Sequence, residues 1–144
     1  MIDTNNIEIA KKQIKQEKKP IVVKAQNDIF NRKMLEYGKF DVLLSVESGA
    51  ERKDGLKQMD SGLNPFLAKL AAKNNIIIGI DIKDISNLGK KDKAIRLARI
   101  RQNIVLCRKA GAKIKTINFN DKKDAFSLLL TLGASTSQAN QAIS

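Results

Sequence analysis

Basic residues are concentrated in one stretch of the sequence, 90–115, which holds ten lysines and arginines and a single acid, Asp92. This stretch therefore supplies +9 of the formal net charge of +12. Arginine suits phosphate because its guanidinium presents a planar pair of donors to two oxygens. No glutamate stands four residues away to neutralise these side chains. The pattern predicts contact with a polyanion; the alternative is a solvated helix face that keeps the protein soluble.

Helical spacing sorts the arginines of this stretch into two rows. One row contains Arg96, Arg99 and Asn103, at positions i, i+3 and i+7. The other contains Arg101 and Arg108, which lie seven residues apart. An apolar stripe between the rows indicates the buried side of one long helix, and it comprises Leu97, Ile100, Ile104 and Cys107.

A second basic group, Arg52, Lys53 and Lys57, falls in a polar segment, 47–61, that follows a predicted strand. A loop at a strand end is well placed to meet a ligand. The alternative is an ordinary charged loop, which the spacing by itself favours. At the end of this segment, Asp60, Gly62 and Asn64 predict a tight turn before a helix, with a bound anion at the helix start as the alternative.

Carboxylates and amides follow three predicted strands. Glu47 follows the second strand, Asp81 the third, and Asn118 and Asn120 the fourth. Glu47 and Asp81 are a candidate pair for Mg²⁺, with a substrate phosphate completing its shell, as in a metal-dependent phosphoesterase. The stronger alternative is that these side chains cap turns and satisfy backbone donors.

Composition excludes several function classes. The chain has no histidine and one cysteine, so histidine-based catalytic pairs, histidine metal sites and internal disulfides are excluded. Aromatic residues make up 4 % and tryptophan is absent, which argues against base-stacking platforms. The sequence shows neither a secretory signal nor a membrane-length apolar run, and we expect a soluble, cytoplasmic protein.

Strand and helix patterns alternate along the 144 residues. Strands are predicted at 21–23, 41–46, 76–80 and 113–118, with loops at 47–61 and 81–89. Helices are predicted at 27–37, 63–71, 91–110 and 121–132, with a last helix after Ser135. We expect a basic helical segment at 1–19 and one α/β domain at 20–144, built on a parallel sheet covered by helices. Four or five strands are too few for a closed eight-stranded barrel, so the sheet is open or an incomplete barrel.

Five short segments stand in a recognisable order: 59–64 (MDSGLN), 67–75 (LAKLAAKNN), 78–81 (IGID), 97–104 (LARIRQNI) and 106–109 (LCRK). A helix with Leu132 and Gly133 and a short final helix complete the pattern. In this order and spacing, residues 41–144 resemble the archaeal ribonuclease P protein component 3 family.

The resemblance implies a barrel-like, noncatalytic subunit of the ribonucleoprotein that removes the 5′ leader of precursor tRNA. In that family the RNA is the catalyst and needs Mg²⁺, so the protein itself is expected to bind neither metal nor cofactor. The implied partners are the ribonuclease P RNA, protein component 2 and, indirectly, precursor tRNA, without a membrane. The implied RNA contacts are Arg52, Lys53, Lys57, Arg96, Arg99, Arg101, Arg108 and Lys109. The implied loop support is Asp60, Gly62, Asn64, Gln102 and Asn103.

The chain departs from the family in length. Members have more strand–helix units ahead of the matched part, whereas this sequence has a lysine-rich segment and one unit at 20–38. A shortened TIM-barrel-like fold is therefore expected, with edge strands that need cover. A partner subunit, a second copy or the helix around Ile7, Ala10 and Ile14 are the candidates for that cover. A basic scaffold that contacts only proteins remains a further functional alternative.

Overall fold

The fold is built on one parallel sheet of four strands, according to a computed structural model that describes residues 1–49 and 51–144. The strands are β1 (Val22–Lys24), β2 (Val42–Leu44), β3 (Ile77–Asp81) and β4 (Ile114–Ile117). Their order in the sheet is β1-β2-β3-β4, the order of the chain, and all neighbours are parallel. The predicted α/β class, with a parallel sheet and covering helices, is confirmed.

Seven helices are observed in the described residues: α1 (Ile7–Gln16), α2 (Asp28–Tyr37), α3 (Pro65–Lys73), α4 (Ile82–Ser86), α5 (Lys90–Ala110), α6 (Lys122–Thr131) and α7 (Thr136–Ile143). The predicted loop at 81–89 is wrong in part, because α4 lies within it. One helical turn with a single buried residue, Ile85, is too short to leave an apolar periodicity. In residues 1–49 and 51–144, no helix has the length and apolar character to cross a bilayer.

Local sequence signals explain where the helices start and end. Gly38 and Gly111 end α2 and α5 in the left-handed conformation, with φ of 72° and 78°. Asn64 begins α3 by accepting a hydrogen bond from the Leu67 N–H, with Pro65 in the first turn. Ser135 and Gln138 form a reciprocal capping box at the start of α7.

The two faces of the sheet differ in cover. Val23, Leu43, Ile78 and Ile114 share one face in register and belong to the hydrophobic core with the helices. Crossovers between parallel strands are right-handed as a rule, which in a sequential strand order puts the connecting helices on one face. On the opposite face, Val42 and Leu44 are buried in the middle of the sheet, whereas Val22 and Ile117 at its edges are half-buried. In an eight-stranded barrel, parallel strands also follow in sequential order with their helices on one face. Four strands amount to half of such a barrel, and the barrel character of this fold stays a prediction.

The amino-terminal segment covers the β1 edge of the sheet. The Ile2 N–H donates to the Val22 carbonyl, and the Lys24 N–H donates to the Ile2 carbonyl, both at 2.8 Å. Helix α1 buries Ala10 and Ile14 in the same core as the sheet. The segment 1–19 therefore shares its hydrophobic core with the α/β domain, and Ile2, which precedes the candidate helix, pairs with the β1 edge.

Candidate nucleic-acid interface

Arg96 lies beneath the loop that follows β2, in an ion pair with Glu47. Its Nη2 donates to the Glu47 carboxylate at 3.0 Å, and its Nη1 donates to Asp84 at 3.2 Å. The side chains of Arg96 and Glu47 are 9 % and 1 % exposed. A charge so far removed from water needs a partner of opposite sign, and each of these residues provides one for the other.

Arg99, one helical turn further along α5, binds the same loop at two points. Its Nε and Nη2 donate to the two carboxylate oxygens of Asp54, at 3.2 and 2.9 Å. Its Nη1 donates to the backbone carbonyl of Glu47 at 3.0 Å. The two parallel bonds to Asp54 form the fork geometry that makes arginine–carboxylate pairs strong and directional.

Arg52 closes the loop from its other side. Its guanidinium donates to Asp60, at 3.2 Å, and to Asp28 at the start of α2. The Arg52 side chain is only 5 % exposed. The structure thus places three of the predicted RNA ligands, Arg52, Arg96 and Arg99, in internal ion pairs. The acids that pair with Arg96 and Arg99 lie 12 to 49 residues away, so a count of acids along the helix does not find them.

Ion pairing and burial shift the pKa values of the loop carboxylates in opposite directions. The hydrogen bond from Arg99 lowers the pKa of Asp54 below its ordinary value. Burial acts to raise the pKa of Asp60, but the Lys53 N–H and the Arg52 charge outweigh it, and the pKa is lowered. Burial raises the pKa of Glu47 in spite of the nearby Arg96.

The residues predicted to support this loop lie against it. Gln102 donates through Nε2 to the Met59 carbonyl and to the Ser61 hydroxyl, both at 2.9 Å. Asn103 donates through Nδ2 to the Ser61 carbonyl at 2.9 Å. Gly62 has a φ of +83°, and a Cβ at this position would lie 2.2 Å from the Val46 carbonyl oxygen. The backbone passes too close to Val46, two residues after β2, for a side chain at this position.

The other predicted RNA ligands of α5 are exposed. Arg108 donates to the Gly133 carbonyl at 2.7 Å and to Gln138 at 3.1 Å, and Arg101 reaches the Thr131 carbonyl at 3.5 Å. These contacts place the two side chains beside the carboxyl end of α6, where cations are favoured. Lys109 is also exposed.

The tip of the loop presents the two predicted lysines and a residue that sequence reasoning missed. Lys53 and Lys57 are exposed, and the Leu56 side chain between them is fully exposed. The signal available in the sequence was an isolated apolar residue between lysines in a polar segment. The site therefore combines buried arginines with an outer surface of lysine and leucine.

The two strand-end carboxylates considered as a candidate metal pair have separate partners. Glu47 is enclosed with Arg96, whereas Asp81 caps α4 and accepts a hydrogen bond from Asn118 at 3.1 Å. Within residues 1–49 and 51–144, no group of three or more His, Cys, Asp or Glu side chains is placed to hold a metal ion. Asn120 is exposed. The turn-capping interpretation accounts for Asp81.

Ion pairing leaves most of the positive charge free. Seven ion pairs in the described residues engage five of the 27 lysines and arginines and seven of the 15 acids. The remaining residues comprise 22 basic side chains and only eight acids. The surface outside the pairs is therefore more positive than the net charge of the chain indicates, which favours a polyanionic partner.

Comparison with known proteins finds a likeness of fold. No protein-family model matches the sequence, and no curated protein matches it. The structure superposes on a chain of a solved structure described as archaeal ribonuclease P with mature tRNA, determined by cryo-EM, with a TM-score of 0.80 and 21 % identity. The match covers 99 % of this chain and 62 % of that chain. This chain therefore has the same fold as that protein, and it spans about three fifths of that protein's length.

Proposed function

We propose that this chain is a protein subunit of an archaeal-type ribonuclease P, of the component 3 type. In this role it binds the catalytic RNA and assists the Mg²⁺-dependent removal of the 5′ leader from precursor tRNA. The observation that supports this most strongly is the fold match, which extends over 99 % of the chain to a chain in an archaeal ribonuclease P. The order of the sequence segments at 59–109 supports the same assignment independently.

The exposed cations provide the RNA-binding chemistry of the proposal. Lys53 and Lys57 on the loop, with Arg101, Arg108 and Lys109 on α5, are open to solvent and therefore to phosphate. Few aromatic side chains are present, so recognition rests on RNA shape and backbone rather than base stacking. The buried arginines contribute by fixing the loop.

The protein supplies no catalytic group under this proposal. The RNA carries the reaction and binds the Mg²⁺, and protein component 2 completes the active assembly. Precursor tRNA meets the protein only through the RNA. Glu47 has no part in chemistry here, because its carboxylate is buried and committed to Arg96.

The direct test is cleavage of precursor tRNA by the cognate catalytic RNA at limiting Mg²⁺. We expect stimulation when this protein and component 2 are both present, and none with either alone. Arg101→Gln with Arg108→Gln reduces the stimulation, whereas Lys12→Gln with Lys15→Gln on α1 removes the same charge and leaves it intact. Failure to stimulate a competent RNA would overturn the proposal. Hydrolysis by the protein alone, abolished by Glu47→Gln, would instead establish the phosphoesterase alternative.

A further inference from the structure

The loop after β2 is closed on itself and fastened to α5. The Asp60 carboxylate accepts a hydrogen bond from the Lys53 N–H at 3.0 Å, and the Asp60 N–H donates to Asp54 at 2.8 Å. Between these contacts, the Gly55 N–H donates to the Gln58 carbonyl at 2.9 Å. Arg99 holds Asp54 from below with two bonds. Residues 53–57, here called the tip, therefore project from a fixed base.

Charges around the tip are arranged by sign. The carboxylates next to its lysines, Asp54 and Asp60, pair with Arg99 and Arg52. Glu51, which precedes the tip, is exposed. Lys53 and Lys57 turn outward, and neither forms an ion pair with any described residue. The arginines neutralise the acids that would otherwise offset the lysines, so the outer surface of the tip is positive.

Leu56 is the most exposed of the large apolar side chains in residues 1–49 and 51–144. An isolated exposed leucine is ordinary on a protein surface. This one differs because it stands between two unpaired lysines on a backbone that is already held in place. Holding the backbone before binding removes part of the entropic cost of association.

We propose that the tip is a preorganised RNA contact, in which Lys53 and Lys57 bind phosphates and Leu56 packs on a ribose or an unstacked base between them. The inference rests on the proposed function and specifies how it is carried out. RNA suits this surface because it alternates phosphate charge with apolar sugar and base faces. Arg99 and Arg52 are positioning residues in this arrangement and do not touch the RNA.

Salt dependence separates the two kinds of contact. With the cognate ribonuclease P RNA as probe, Lys53→Gln with Lys57→Gln is expected to reduce the slope of log affinity against log salt by roughly 1.5 to 2. Leu56→Ser is expected to weaken binding about fivefold to tenfold at every salt concentration without changing the slope, because it removes apolar contact area. The matched controls are Lys12→Gln with Lys15→Gln, and Leu130→Ser on α6. Tip variants that equal their controls would overturn the inference.

If Arg99 positions the tip through Asp54, removal of Asp54 should change RNA affinity in the direction opposite to that expected from its charge. Asp54→Ala removes a negative charge, so charge alone predicts tighter RNA binding. Because this variant also releases the tip from Arg99 and Asp60, we expect binding to weaken about threefold or more. Asp124→Ala on α6 makes the same change in charge and serves as the control that tightens binding. Tighter binding by both variants would show that the tip needs no fixed base.

Site-specific crosslinking identifies the partner of Leu56 directly. A photoreactive group on Leu56→Cys, in the assembly of RNA, component 2 and this protein, is expected to crosslink to RNA. Crosslinks to component 2, or none, would overturn the inference while leaving the proposed function intact if cleavage is still stimulated. A wild-type protein that fails to bind the RNA would overturn both.

Discussion

The Glu47 carboxylate and the Arg96 guanidinium lie 3.0 Å apart, almost wholly shielded from water, although 49 residues separate them in the chain. This pair joins the carboxyl end of β2 to the first half of α5. On α5, Arg99 follows Arg96 by about one turn and holds the loop further out, at Asp54. A chain of contacts thus runs from the buried pair through Arg99 to Asp54 in the exposed tip.

Removal of one member of this pair is expected to be costly. Arg96→Met leaves the Glu47 carboxylate buried without its cation, and we expect a loss of about 4 kcal/mol in the free energy of unfolding. Arg96→Met combined with Glu47→Leu replaces both charges with apolar groups and should recover most of that loss. Urea denaturation of the two variants measures the difference. Equal stability of the single and double variants would show that the pair is not coupled.

Acid is expected to weaken the contribution of Asp54 to stability. The pKa of Asp54 is lowered in the folded protein from an ordinary 3.8, so the unfolded chain binds its proton more readily. The stabilisation is therefore present above the ordinary value and is lost as the pH falls toward the lowered one. Thermal unfolding between pH 7 and pH 2.5 should show the gap between wild type and Asp54→Asn closing as the pH falls. A gap that is constant with pH would contradict this.

Glu47 is expected to act in the opposite sense. Burial raises its pKa, so the folded protein takes up this proton more readily than the unfolded chain. The proton on Glu47 therefore favours the folded state at low pH, and this contribution to the free energy of unfolding is lost as the pH rises through the raised pKa. Removing this titration by Glu47→Gln should therefore make the loss of stability on acidification steeper than in the wild type. The same unfolding series measures this, and a profile parallel to the wild type would count against it.

Gly62 should tolerate no side chain. Gly62→Ala combines a φ of +83° with a Cβ 2.2 Å from the Val46 carbonyl oxygen, and we expect a loss of roughly 3 kcal/mol. Gly55→Ala is the control, because its Cβ would meet only the Gln58 carbonyl at 3.4 Å. That variant should change stability by less than about 0.5 kcal/mol. The free energy of unfolding in urea distinguishes them, and similar values for both would be inconsistent with the close approach.

Cys107 should resist alkylation in the folded protein. It is buried, and burial raises the pKa of its thiol to about 12, so very little thiolate is present near neutral pH. Iodoacetamide at pH 8 should therefore label the wild type only after unfolding, whereas folded Leu56→Cys should react at once. Mass spectrometry of the labelled proteins measures this. Rapid labelling of the folded wild type would mean that the core around α5 opens readily.

The elements could be predicted because their signals are local. The alternation of apolar strands with capped helices predicts the parallel sheet, and Gly38 and Gly111 mark two helix ends correctly. Observed strand ends differ from the predicted ones by one or two residues, which is the usual uncertainty of a pattern. Helix α4 was missed because one turn leaves no period to detect.

The site was less predictable because its organisation depends on distant contacts. The sequence places Arg96, Arg99 and Asn103 in one helical row and predicts that its arginines meet phosphate, whereas the structure buries all three side chains. What the spacing does not contain is the identity of their partners, since Glu47, Asp54 and Ser61 come from the loop after β2. Sequence spacing along α5 therefore does not distinguish the arginines that point into the protein from those that point to solvent.

The buried pair of Glu47 and Arg96 also limits which amino-acid substitutions this sequence can accept. A mutation at position 47 or 96 alone leaves a buried charge without its partner, whereas a matched change at both removes the penalty. Selection therefore acts on the two codons together. Among descendants of this gene, Glu47 and Arg96 should be inherited as a unit, while Lys53 and Lys57 remain free to drift between lysine and arginine one at a time.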